Sequence, residues 1–176
     1  MSSVHAYRAR CSWSGSTGEG YEQYRREHAG SAPPAGDSLL LSADPAFRGQ
    51  AAHLNPEQLV VLAAASCQLL SFLAVAARAR LDVVAYEDDA EGVMPEGDHP
   101  VRLTGIVLRP RIVLAAGPTE QRVRHLVDVA HRECPYRGAG GERDQDRGVR
   151  AVVGVEQDHA ADNHARPPSP RSTPHT

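Results

Sequence analysis

Apolar positions along this chain fall into short alternating stretches, one long continuous run, and one stretch of helical period. From Val4 to Trp13 they alternate, with Tyr7, Ala9, Cys11 and Trp13 on one face and Arg8, Arg10 and Ser12 on the other, which predicts a half-buried strand. Gly15, Gly18 and Gly20 mark a turn, Tyr21 to His28 reads as a second strand, and the loop SAPPAGD leads to a short apolar strand at residues 38–42. The opening is therefore expected to be a β-meander.

Leu59 to Ala77 is apolar almost throughout. Asn55-Pro56-Glu57-Gln58 immediately before it reads as a helix start, with an asparagine cap, proline in the first helical position and glutamine three residues after the cap. The helix is expected to run towards Arg80, with Arg78 and Arg80 complementing its C-terminal partial charge. An all-round apolar helix either spans a bilayer or is buried in protein. Its alanine content and Ser66, Gln68 and Ser71 argue for a buried core helix and no membrane. Leu81–Met94 and Val101–Leu114 read as strands separated by PEGDHP, with Pro110 at an edge or bulge. Gly117-Pro118-Thr119 opens a second helix whose apolar face carries Val123, Leu126, Val127, Ala130 and Cys134. A strand at Val149–Val155 follows. Residues 1–156 are expected to form the folded domain, and 157–176, poor in apolar residues and rich in proline, a disordered tail.

Composition narrows the chemistry. The net charge is −3, which disfavours a nucleic-acid partner. All 19 lysine-plus-arginine residues are arginine, so lysine Schiff bases and P-loop chemistry are excluded and any cationic assistant must be arginine. The N-terminus lacks an apolar stretch after a basic start, so no signal peptide is expected and the protein is read as cytoplasmic. His125 and His131 are six apart on a helix and do not share a face, so no metal site and no cofactor are expected.

Three cysteines, Cys11, Cys67 and Cys134, are spaced too widely for a zinc knuckle or a CxxC motif. Cys11 is expected to pack beside Tyr7 and Trp13. Cys67 lies in a stripe of small residues with Val60, Ala64, Ser71 and Ala74, and Cys134 ends the apolar face of the other helix. Each thiol can be core packing. Both helices nevertheless bury those faces against one interior, so the alternative is a meeting pair in which one thiolate takes an oxidant to sulfenic acid and the other condenses with it. A buried thiol reacts only beside a cation. Arg48, in the loop DPAFRGQ, is the nearest arginine on the approach to the helix, and Arg25 and Arg26 lie on the second strand.

The run FRGQAAHLNPEQLVVLAAASC, followed by YEDDAEGV, TGIVLRPRIVL and AHREC, resembles the OsmC/Ohr family of thiol-dependent peroxidases from about Val4 to Cys134. Beyond Cys134 the pattern departs from the family. The resemblance implies that Cys67 is the peroxidatic thiol, Cys134 the resolving thiol, Arg48 the arginine that assists the thiolate, and Glu57 the glutamate that holds that arginine, with Arg26 as the alternative arginine. Ten residues separate Glu57 from Cys67, roughly 15 Å along a straight helix, so a break or a bend between them is expected if one arginine serves both. The implied fold is α+β, antiparallel sheets wrapped around two core helices and completed by an intertwined homodimer. The implied activity is reduction of organic hydroperoxides, with an external thiol reductant and no cofactor. The rival readings are a non-catalytic binder of apolar small molecules and a cysteine redox sensor.

Overall fold

The computed structural model describes residues 4–97, 99–115, 118–134 and 149–157, and the chain divides into two compact units. The fold is α+β, with two α-helices and three three-stranded sheets among the described residues. Residues 135–148 and, apart from Gln157, the expected tail of 157–176 lie outside the described residues; Gln157 ends a strand.

The first unit comprises, among the described residues, 4–64, 92–97 and 99–106. It contains the expected meander, with β1 (Arg10–Ser12), β2 (His28–Ser31) and β3 (Ser38–Leu41) paired antiparallel in that order. Two expectations need correction. The first strand is three residues long and exposed throughout, Tyr7 is 92% exposed, and Cys11 is a free, exposed thiol rather than packing. Alternation gave the strand its faces, but no described part of the chain covers either one. Tyr21 to Tyr24 form a turn and not a strand, because Arg26 reaches back to the Tyr21 and Tyr24 carbonyls and stacks over both rings, 4.8 and 3.8 Å from their centroids.

Helix α1 (Pro56–Arg78) begins as the sequence predicts. The Asn55 side chain accepts from the Gln58 N–H at 2.8 Å, and the Gln58 side chain accepts from the Asn55 N–H at 3.0 Å, a reciprocal capping box. Asn55 is buried and also donates to Asp44 at 3.2 Å, tying the cap to the preceding loop. The helix stops at Arg78, before the expected Arg80, for a local reason. Arg80 adopts a left-handed conformation with φ 57°, and the N–H groups of Arg80 and Leu81 return to the carbonyls of Ala77 and Ala76. This is the terminal motif that glycine usually makes, here made by an arginine.

The second unit comprises, among the described residues, 65–91, 107–115, 118–134 and 149–157. Its sheet orders β4 (Val83–Asp88), β7 (Pro110–Leu114) and β9 (Gly154–Gln157). β4 and β7 pair antiparallel, but β7 and β9 run parallel, so this sheet is mixed and not wholly antiparallel. Each of the long strands expected at 81–94 and 101–114 is two strands. β5 (Glu91–Val93) follows β4, β6 (Gly105–Leu108) precedes β7, and both belong to a sheet ordered β5-β6-β8. The expected strand at 149–155 is likewise divided, into β8 (Val149–Ala151) and β9. Arg109 makes the interruption before Pro110, its N–H donating to the Asp88 carboxylate at 2.7 Å. Asp88 also accepts from the Tyr86 hydroxyl, and burial pushes both groups up from their ordinary pKa values.

Helix α2 (Glu120–Glu133) packs on this sheet with the C-terminal half of α1. Phe72, Val75 and Ala76 of α1, Ile112 and Leu114 of β7, and Val123, Val127 and Ala130 of α2 form one buried cluster. The buried positions of α1 (Ala64, Gln68, Phe72, Val75, Ala76) make a single stripe at helical spacing. The expectation of burial all round is met only there: Leu62 and Leu70 are 57% and 63% exposed.

Two capping predictions follow from these termini. Asn55→Ala removes the cap and leaves the Gln58 amide and Asp44 without their partner, and should cost about 1–2 kcal/mol in urea unfolding. Arg80→Gly should raise stability by about 1 kcal/mol, because glycine meets no Cβ penalty at that φ.

Candidate functional site

In the second unit, Cys67 projects from the middle of α1 and Cys134 caps the C-terminus of α2 in an extended conformation. The two sulfurs are joined in a disulfide, with the Cα atoms 6.2 Å apart. Cys134 is buried and Cys67 half-buried. The pair meets because the apolar faces of the two helices share one core and because the small residues at Ala64 and Ser71 crowd the approach to Cys67 little. Thiols at this separation can interconvert between dithiol and disulfide without backbone rearrangement.

A polar bridge lies next to the disulfide. Gln68, 1% exposed, donates from its side-chain amide to the Val127 carbonyl at 3.3 Å, and its side-chain oxygen lies 3.3 Å from His131 Nδ1. Neither residue stands out as a site residue in the sequence. The available signals were that Gln68 is the only amide in an apolar run and directly follows Cys67, and that His131 lies one helical turn before Cys134.

The other two residues singled out lie in the first unit. Arg48 ends the short 3-10 turn Pro45–Phe47, in a left-handed conformation with φ 66° and ψ 24°. Asp44 organises that turn. Its side chain accepts from the Ala46 N–H at 2.8 Å, and its carbonyl accepts from the Phe47 and Gly49 N–H groups. Gly49 is required here, since a Cβ would run into the backbone of Ala43. The loop thus holds its arginine at a backbone angle that costs a non-glycine residue free energy. The Arg48 guanidinium pairs with Glu22 at 2.7 Å, both half exposed. That corrects the expectation that Glu57 holds it: Glu57 sits half-buried in the first turn of α1 and joins no ion pair among the described residues. α1 is also continuous from Pro56 to Arg78, with no break to bring Glu57 towards Cys67. Arg26, the alternative arginine, is engaged by the carbonyls and rings of its own turn.

Among the described residues, no group of three His, Cys, Asp or Glu side chains is disposed to hold a metal ion. The chemistry that this arrangement can perform is thiol redox chemistry at Cys67 and Cys134.

Comparison with known proteins agrees with this fold. The family model described as OsmC-like protein matches residues 49–139, more than half of the chain, and runs past Cys134, where the sequence was expected to depart from the family. An OsmC-like protein of unknown function from Vibrio cholerae has 27% identity and a TM-score of 0.74, over 85% of this chain and 99% of that one. An organic hydroperoxide resistance protein from Elizabethkingia anophelis superposes with a TM-score of 0.64 at 16% identity, covering 90% of this chain and 100% of its own. The organic hydroperoxide resistance protein OsmC from Legionella pneumophila gives 0.61 at 20% identity, over 88% and 98%. With the last two the likeness is one of fold. No curated protein sequence matches the chain.

The backbone at Arg48 can be tested apart from any activity. Arg48→Gly should be at least as stable as the wild-type protein, and Arg48→Ala about 1 kcal/mol less stable than Arg48→Gly, in thermal or urea unfolding. The exposed ion pair with Glu22 is worth too little to reverse that order.

Proposed function

The chain belongs to the OsmC-like family, and on that footing we propose that it is a thiol-dependent peroxidase that reduces organic hydroperoxides through Cys67 and Cys134. The observation that carries this reading is the juxtaposition of the two cysteines, 6.2 Å between Cα atoms, at the meeting of two helices. The Cys67 thiolate attacks the distal oxygen of the hydroperoxide. The O–O bond breaks, the alkoxide takes up a proton and leaves as the alcohol, and Cys67 becomes a sulfenic acid. The Cys134 thiol then attacks that sulfur, the sulfenic hydroxyl leaves as water with the thiol proton, and the disulfide forms. Two equivalents of an external thiol, or one dithiol, restore both cysteines and are themselves oxidised to a disulfide.

In this reading Arg48 supplies the positive charge that favours the thiolate and the departing alkoxide. The strained loop that carries it supports that role. The protein acts as a soluble, cytoplasmic homodimer, a second copy covering the apolar side of α1 that carries Leu62 and Leu70.

With a dithiol reductant, the purified protein should consume a bulky organic hydroperoxide faster than hydrogen peroxide. Cys67→Ser should abolish turnover. Cys134→Ser should react once and stop at sulfenic acid, detected by mass spectrometry, and Arg48→Ala should lose on the order of 100-fold in kcat/KM. Wild-type turnover by Cys67→Ser would refute the proposal.

A further inference from the structure

We propose that Gln68 and His131 are positioning residues that set how readily Cys67 and Cys134 close their disulfide. The inference deepens the two-cysteine reading above and rests on it for its place in a reaction. The first observation is the cost of having Gln68 where it is. The side chain is 1% exposed, in a stripe that otherwise consists of Ala64, Phe72, Val75 and Ala76. A leucine would fill such a site without a polar group to desolvate, so the amide contributes something other than apolar burial.

The second observation is what the amide holds. A carbonyl only accepts, so the side-chain nitrogen of Gln68 must face the Val127 oxygen, as it does at 3.3 Å. That fixes the amide orientation and leaves Oε1 towards His131, 3.3 Å from Nδ1. An amide oxygen also only accepts, so His131 Nδ1 carries a hydrogen and donates it. One orientation of the glutamine therefore selects the histidine tautomer.

The third observation is register. Val127 and His131 are four residues apart, one turn of α2, so a single side chain of α1 grips two successive levels of the facing helix. Gln68 is the neighbour of Cys67, and His131 precedes Cys134 by three residues on the same side of α2. Sliding or rotating the end of α2 against α1 breaks at least one of the two bonds before it separates the cysteines. A disulfide tolerates only a narrow range of Cα separation and side-chain direction, so this hold bears directly on closure.

Thiol–disulfide exchange with glutathione tests the proposal. In that exchange the protein disulfide and two glutathione thiols give the protein dithiol and one oxidised glutathione. The equilibrium constant for closing the Cys67–Cys134 bond is read by alkylation and mass spectrometry on the full chain. Gln68→Leu and His131→Leu should each lower it roughly five- to tenfold. His131→Asn, whose amide donates from the place of Nδ1–H, should stay within about twofold of the wild-type value, a rescue that loss of packing would not give. Values within about twofold for both leucine variants, or a fall for His131→Asn as large as for His131→Leu, would overturn the inference. Should Gln68→Leu fail to fold, the two His131 variants decide the matter alone. No hydroperoxide enters the measurement. A protein inert to hydroperoxides that still gives this ranking would refute the peroxidase and keep the positioning pair, and an active protein with a flat ranking would do the opposite.

Discussion

The thiol pair depends on one contact, the packing of α1 against α2 on the mixed sheet of the second unit. Phe72, Val75 and Ala76 from one helix and Val123, Val127 and Ala130 from the other are buried together over Ile112 and Leu114. A fully buried valine or phenylalanine side chain contributes roughly 1.5–3 kcal/mol, so these residues dominate whatever holds the helices in place. Cys67 and Cys134 lie at the edge of that contact and inherit their separation from it. The polar residues next to them are exceptions to its apolar character, which is why Gln68 stands out.

In the proposed cycle the disulfide opens and closes, so it cannot be what maintains this geometry. Linking residues 67 positions apart restricts the unfolded chain by about 4 kcal/mol in the chain-entropy model, but only in the oxidised state. In the dithiol state the same arrangement has to be kept by packing and by hydrogen bonds that do not change with oxidation. The core cluster supplies cohesion, which is tolerant of small sliding movements. The Gln68 bonds to Val127 and His131 supply direction, because hydrogen bonds weaken steeply as their geometry departs from linear. Cohesion and direction are separable requirements for a redox pair, and different residues meet them here.

What could be read from the sequence was whatever depends on residues close together along it. The Asn55–Gln58 capping box and the start of α2 at Thr119 are local, and both were legible. The apolar face of α2 was legible too, since helical spacing places Cys134 with Val123, Val127 and Ala130, whereas the buried stripe of α1 runs through Gln68 and Phe72 and not through the Val60–Ser71–Ala74 stripe expected around Cys67. What could not be read depends on partners far along the chain. Nothing local says that Arg48 meets Glu22, or that β9 joins β7 in parallel. The two long strand patterns each broke because Arg109 and the turn after Asp88 are tied to one another, a connection between positions 21 apart. The exposure of Cys11 was illegible for a related reason: alternation shows that a strand has two faces, not that either has anything to cover it.

That last point applies most strongly to α1. Its length and apolar character would suit a bilayer, yet the stripe from Ala64 to Ala76 is committed to protein packing, including a buried glutamine with both ends of its amide engaged. A membrane span would offer that amide nothing in lipid, whereas a core helix gives it a carbonyl and an imidazole. The remaining surface of the helix, with Leu62, Leu70 and Leu73 exposed, is too apolar to be explained by contact with water. In the proposed homodimer it is explained by symmetry. A two-fold axis presents the same face from both copies, so in that proposal one set of leucines covers the other. On that proposal a helix apolar on all sides needs no bilayer, one side serving the core that holds the thiols and the other the second copy.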